Sequence, residues 1–355
     1  MPLAPLYGHE ELRKRLGDRA RAGTLPASIL LHGPRGVGKQ RLGLWLAQIL
    51  QCTSDSPPCG ECQACRYSLS LAHPDLRWYF PRPRLKDADP ALEDVRDDYM
   101  EAIQERLAAG GLYEPPSGSE GIYVATVRAI VQEAAMSPAM GSRKVFVIGD
   151  AERMVPQEGA EQAANAFLKL LEEPLADTTF ILTSSEPGQL LPTIRSRTVS
   201  VRVPRISDDA MQAFLADPRV REAFKASEES DADRLTVAAG APGRLFGGEA
   251  RSAAMVAARK LMDAATSGAP APLHAAALGV GITGARGAFT ETLDSLLLLL
   301  GERMRASLHD RNARGAAAAS RAASLVERAR EQARGNVNPQ LITSRLLRDI
   351  AGILT

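Results

Sequence analysis

Hydrophobic and polar positions over roughly the first 205 residues follow two periods in turn. Residues 9 to 22, HEELRKRLGDRARA, predict a largely polar helix that ends before Pro26, and Ser28-Ile29-Leu30-Leu31-His32 predicts a short buried strand. From Lys39 to Gln51 the residues Leu42, Leu46, Ile49 and Leu50 return at helical spacing. Helical pattern resumes over Val124 to Ala135, the apolar run Lys144 to Ile148 predicts a strand, and Ala160 to Leu171 predicts a helix closed by Glu172-Glu173-Pro174. Strands are further expected at Thr179 to Thr183 and Val199 to Val203. Such alternation predicts an α/β domain, residues 1–205, with a parallel sheet covered on both faces. The stretch 81–121 is rich in Pro, Asp, Glu and Gly and is expected to be a mobile insertion with one helical piece near Tyr99 to Leu107. Residues 206–249 predict a small helical piece. From 250 to 355 the pattern is helical and alanine-rich, with a strand-like trace only around Val280.

The 355 residues suffice for two or three domains with a sizeable core. Lys and Arg number 43 against 42 Asp and Glu, and the formal net charge of +1 excludes a uniformly basic nucleic-acid coat or an acidic solvating chain. A hydrophobic fraction of 45% with 24% charged residues is that of a folded chain, not a disordered one. Residues 250–355 hold 14 basic residues against 8 acidic ones. Phe289 is the one aromatic among these arginines, so solvated helix faces explain the excess better than a nucleic-acid surface. The leucine run Leu296 to Leu300 falls far short of the roughly 20 apolar residues of a spanning helix. The opening MPLAPLYGHEELRKRL carries charge where a secretory signal would be apolar, so a cytoplasmic protein without a membrane partner is expected.

Candidate chemistry begins directly after the first strand. Gly33-Pro34-Arg35-Gly36-Val37-Gly38-Lys39 fits the G-x-x-x-x-G-K phosphate loop, in the strand–loop–helix context where backbone N–H groups cradle phosphate oxygens. Gly33, Gly36 and Gly38 keep side chains away from the ligand, and Lys39 would reach the β and γ phosphates. The next residue should carry a hydroxyl for Mg²⁺, yet Gln40 stands there. At the end of the strand Lys144 to Ile148, where an acidic pair should help hold the metal and orient water, the residues are Gly149 and Asp150. With two metal-site positions lost together, Mg²⁺ is not expected and little or no hydrolysis should follow. Two outcomes stay open for the loop: it binds ATP or ADP without turnover, or it persists only to hold the fold.

All four cysteines fall within 14 residues, as Cys52-x6-Cys59-x2-Cys62-x2-Cys65. Four soft ligands at these spacings suit a tetrahedral, structural Zn²⁺ with no open coordination position, and Gly60 is the residue type such a knuckle needs for positive φ. Four unrelated thiols, or a redox Cys-x-x-Cys pair, are the alternatives.

Taken together, Leu25-Pro26-Ala27 ahead of the phosphate loop, the four cysteines, Asp150-Ala151-Glu152-Arg153-Met154, the run Asn165 to Pro174 and Ile194-Arg195-Ser196-Arg197 resemble the bacterial DNA polymerase III clamp-loader subunits, and among those most the delta-prime subunits. The resemblance covers about residues 5 to 205. It implies an AAA+ P-loop domain at 1–205, a helical lid at 206–249 and an all-α collar at 250–355 through which subunits join in a ring. It further implies tau/gamma and delta subunits as partners, with the sliding clamp and primed DNA engaged by the whole complex. The family's hydrolysing members carry Thr after the loop lysine and an Asp-Glu pair, both absent here. The implied role is therefore a non-hydrolysing, stator-like subunit. Ser196-Arg197 matches the family's motif that lends an arginine in trans to a neighbour's ATP, where a guanidinium neutralises charge on the γ phosphate. Arg197 is the expected residue by alignment, although Arg195 lies two positions away, and Thr198 stands where the family usually has cysteine. Ser184 and Arg244 fall at the family's two sensor positions. Two other readings are a tau/gamma-like clamp-loader ATPase and a stand-alone zinc-containing DNA-binding protein.

Overall fold

The computed structural model describes residues 3–354 apart from 88, 115–119, 155–160, 226–229, 281–285 and 335–336. The chain divides into two compact units, Met1–Phe246 and Gly247–Thr355. In the first, α1 (Glu10–Arg21), β1 (Ser28–His32), α2 (Lys39–Gln51), α3 (Gln63–Leu69), β2 (Leu76–Tyr79), α4 (Leu92–Ala108), α5 (Val124–Ala134), β3 (Lys144–Ile148), α6 (Glu161–Glu172), β4 (Thr178–Ser184), α7 (Pro192–Ser196) and β5 (Val199–Arg202) follow in order. The five strands are all parallel, in the order β2-β3-β4-β1-β5. Strands β1, β3 and β4 are buried nearly throughout, which is why they read as unbroken apolar runs. Phe146 and Phe180, opposite one another in register, stack at 5.2 Å, and Phe167 of α6 meets Phe180 edge-on at 6.0 Å. Beyond β1 the chain goes to one side of the sheet and beyond β4 to the other. Their carboxyl ends therefore open a crevice at a topological switch point, the usual ligand position in such sheets.

Two sequence expectations need correction in this unit. Four strands are predicted, but β2 adds a fifth at the sheet edge. It is only four residues long and carries Arg77, so it lacks a clear apolar signature. The segment 81–121 holds a full 17-residue helix, α4, packed into the main core through Val95, Tyr99, Ala102 and Leu107. Residues 88 and 115–119 of that segment lie outside the described residues. An ionic knot fastens α4 to the sheet edge: the buried Glu133 carboxylate of α5 accepts from Arg77 Nε at 3.0 Å, Arg96 Nε at 2.7 Å and Tyr79 hydroxyl at 2.8 Å. Both carboxylate oxygens thus have a donor, the condition for tolerating a buried charge.

After β5 come α8 (Asp208–Ala216), α9 (Pro218–Ala223), α10 (Asp231–Ala238) and the tight turn Pro242–Leu245. They form a small separate core around Met211, Phe214, Leu215 and Val220, with Phe224 and Phe246 stacked at 5.1 Å. The second unit comprises α11 (Gly248–Thr266), α12 (Pro270–Leu278), α13 (Arg286–His309), α14 (Ala313–Arg334) and α15 (Pro339–Leu354) around Leu293, Leu296, Leu300, Val326, Leu346 and Ile350. The leucine run is thus a helix turning Leu296 and Leu300 inward. Val280 follows the end of α12 and packs on this core. No strand occurs among the described residues of the unit. No helix among them is long and apolar enough to cross a membrane.

Candidate nucleotide site, cysteine cluster and surface arginine

The phosphate loop lies at the switch point, and neighbouring backbone fixes its shape. Gly33 N–H donates to the Ser184 carbonyl of β4 at 3.2 Å, tying the loop's start to the adjacent strand end. His9 Nε2 lies 2.8 Å from the Val37 carbonyl. A carbonyl only accepts, so Nε2 carries the proton, while burial pushes the imidazole pKa below its ordinary value. Gly36, at φ +81°, accepts from Gly243 N–H at 2.8 Å, and a Cβ on Gly36 would come within 2.9 Å of Arg244 N. Both the positive φ and the close approach require glycine. The backbone preceding the Arg244 side chain therefore rests directly on the loop.

Lys39 opens α2 with its ammonium turned back into the loop, donating to the Gly33 carbonyl at 3.0 Å, the Pro34 carbonyl at 2.9 Å and Ser185 Oγ at 2.8 Å. It is 5% exposed, and burial pushes its pKa down to about 8 against the opposing pull of Asp150 and Glu152. Ser184 ends β4 fully buried and its Oγ accepts from Glu186 N–H at 3.1 Å. The contact with Lys39 belongs instead to Ser185, which the motif reading passes over. Ser185 N–H in turn donates to Glu152 Oε1 at 2.9 Å. Burial raises the Glu152 pKa, and the neighbouring Asp150 charge adds to the effect.

Gln40 and Asp150, on different elements, meet. Gln40 Nε2 donates to Asp150 Oδ2 at 3.0 Å, and Gln40 Oε1 accepts from the Trp78 indole N–H of β2 at 3.0 Å. The Gln40 amide lies over Gly149, where a Cβ would stand 2.4 Å from the amide carbon. The residue in the hydroxyl position and the gap in the acidic position thus occupy one space. Beyond Trp78, the Arg106 guanidinium from α4 lies over Phe80 at 3.3 Å, Tyr113 at 3.8 Å and Trp78 at 4.7 Å. Asp150 exerts an electrostatic pull on this cation, while burial lowers its pKa. No motif marks Arg106 in the sequence, because its box is assembled from β2, α4 and the chain beyond each.

The cysteine cluster joins the end of α2 to α3. Cys52 caps α2, Cys62 caps α3, and Gly60 between them adopts φ +78°. All four sulfurs lie within 4.8 Å of one another, with separations of 3.6 Å for Cys52–Cys59 and 3.9 Å for Cys59–Cys65 and Cys52–Cys62. These are no disulfides. Four ligands at about 2.3 Å from a tetrahedral ion would sit roughly 3.8 Å apart, so the sulfurs fit a metal ion such as zinc. N–H groups of Cys59, Cys62 and Cys65 point at the preceding sulfurs at 3.3 to 3.5 Å, the donors that stabilise thiolates.

Arg197 stands at the carboxyl end of α7, away from these groups in its bonding. Its Nε and Nη2 both reach Glu172 Oε2, at 3.0 and 2.9 Å, and Nη1 donates to the Thr193 carbonyl at 3.1 Å. Arg195 is exposed, with one long contact of 3.5 Å to the Pro187 carbonyl. Leu191 and Val199, close in sequence to this pair, are exposed, and so is Leu175, three positions after Glu172.

The profile of the family described as "DNA polymerase III, delta subunit" matches residues 8–207. The chain belongs to this family. A delta-prime subunit of DNA polymerase III from Pseudomonas aeruginosa is 33% identical over 230 residues, 64% of this chain and 57% of the relative. One from Bacillus subtilis is 28% identical over 174 residues, 49% of this chain and 40% of the relative. A gamma/tau subunit from Mycobacterium tuberculosis is 29% identical over 215 residues, 60% of this chain and 30% of the relative. The chain thus aligns with little more than half the length of the first of these and less of the others. The family match, the AAA+ fold with its helical second unit and the delta-prime relatives agree with the resemblance drawn from the motifs.

Proposed function

We propose that this chain is a non-hydrolysing, delta-prime-like subunit of a DNA polymerase III clamp loader. In this reading it works in the cytoplasm beside tau/gamma and delta subunits, helps place a sliding clamp on primed DNA, and lends Arg197 to a neighbour's ATP. Residues 1–205 serve as the AAA+ domain, 206–249 as the lid and 250–355 as the ring-forming collar. Zinc held by Cys52, Cys59, Cys62 and Cys65 cross-links the α2–α3 connection and takes no part in catalysis. Any nucleotide the chain holds would sit on Gly33, Gly36, Gly38 and Lys39, with Gln40, Asp150, Ser184 and Arg244 around it.

The observation that carries the non-hydrolysing role is the Gln40–Gly149–Asp150 arrangement. The amide of Gln40 spans the ground a hydroxyl and a second carboxylate would share, and its N–H group holds the remaining carboxylate. Without a metal to bridge phosphate oxygens, the charge developing in phosphoryl transfer lacks its main stabilisation. For the arginine, support comes from its half-exposed place at the end of α7, with the exposed apolar residues Leu191 and Val199 near it in sequence, which a partner would cover.

The test is ATP turnover by the reconstituted complex. Arg197→Ala should leave assembly intact and lower kcat by about 10³-fold, the contribution usual for a trans arginine. The purified chain alone should show no turnover. A rate of about 1 per second, ordinary for a working enzyme, would instead place it with the tau/gamma ATPases.

A further inference from the structure

The guanidinium of Arg197 is not a free surface cation. Of the five N–H bonds an arginine offers, two point at Glu172 Oε2 from Nε and Nη2, and one goes from Nη1 to the Thr193 carbonyl. Nε and Nη2 form the side edge of the planar group, so the carboxylate grips it from the side. One N–H remains on each terminal nitrogen, and together they form the end able to meet two oxygens of a phosphate. Glu172 is in the last turn of α6, a helix anchored in the main core through Phe167 and Leu171, whereas Arg197 and Thr193 belong to the short α7 and its end. The carboxylate therefore ties a long side chain at the end of a five-residue helix to a longer, rooted helix.

We infer that Glu172 is a positioning residue for Arg197, holding its guanidinium by the side edge so that the end edge faces the neighbouring subunit's triphosphate. The inference rests on the trans-arginine reading above. An exposed ion pair of this kind adds little to stability. Orientation is a different matter, because a misplacement of about 1 Å in a group acting on a transition state costs up to about 10²-fold in rate. The attraction also works in the other direction: a carboxylate near the γ phosphate repels it, so the grip must stay on the side away from the ligand, as the Nε–Nη2 geometry has it.

The experiment is steady-state ATP hydrolysis by the reconstituted complex with this chain as wild type, Glu172→Ala, Glu172→Gln, Arg197→Ala and the Glu172→Ala/Arg197→Ala double variant. Glu172→Ala should lower kcat about 10-fold with KM for ATP nearly unchanged. Glu172→Gln, whose amide oxygen still accepts both N–H groups, should recover most of the loss. The double variant should be no slower than Arg197→Ala alone, because the carboxylate acts only through the arginine. Wild-type kcat in Glu172→Ala alongside a slow Arg197→Ala would overturn the positioning role and spare the trans arginine. A wild-type rate in Arg197→Ala would remove the trans arginine itself. A further loss in the double variant would assign Glu172 some other task.

Discussion

Gln40 and Gly149 are fitted to one another: the amide of the first occupies the place a Cβ on the second would need, at 2.4 Å. The fit makes reversion of either residue a test of coupling. Gly149→Asp alone should destabilise the fold by about 1–3 kcal/mol through overpacking. Gln40→Thr alone should cost about 1–3 kcal/mol by leaving the buried Trp78 N–H unpaired. In the double variant, the collision at 149 is relieved, so the combined loss should fall short of the sum by about 1 kcal/mol or more. Urea unfolding of the four proteins measures this, and Mg²⁺ should raise the midpoint only in the double variant.

Removing one sulfur from the cluster should act locally. Cys62→Ser should lower bound zinc well below one ion per chain and loosen 52–65 in hydrogen exchange, while the phosphate loop keeps its protection. Metal analysis of the purified proteins checks the first expectation. Full occupancy in the variant would show that the ligand set is wrong.

The carboxylate of Glu133 is 4% exposed and satisfied by two arginines and a tyrosine. Taking it away leaves the buried Tyr79 hydroxyl without its acceptor and returns two half-exposed arginines to water, so Glu133→Ala should cost about 1–3 kcal/mol in chemical unfolding. Local loosening should centre on β2 and α4, the elements it holds together.

Lys39 has a folded-state pKa near 8, below its ordinary value of 10.5, so between those values the unfolded chain binds more protons. Stability attributable to this residue therefore increases as pH rises from about 8 to about 10.5, by up to about 3 kcal/mol. Lys39→Met lacks the titration. Across that window the unfolding free energy of wild type should gain on that of the variant, and parallel curves would contradict the buried ammonium.

Most of the fold is legible because burial on both faces of a parallel sheet forces apolar runs, and Leu30, Phe146 and Ile181 sit in such runs. Strand β2 escapes notice because its outward residue, Arg77, is chosen by Glu133, a partner 56 positions away. Helix α4 is different. Val95, Tyr99 and Ala102 do recur at helical spacing, but acidic neighbours and flanking prolines mask them in a composition-based reading. Among site residues, the glycine loop, Gln40, Gly149 and the cysteines follow from local motifs. Ser185 and Arg106 do not, since each gains its position from an element elsewhere in the chain.

The bond from Gly243 N–H to the Gly36 carbonyl joins two backbones with no side chain between them. Padding of that sort is what usually lets one segment shift while its neighbour stays still. Here a ligand that shifts the loop at Gly36 is felt directly at Gly243, at the base of the small helical cluster.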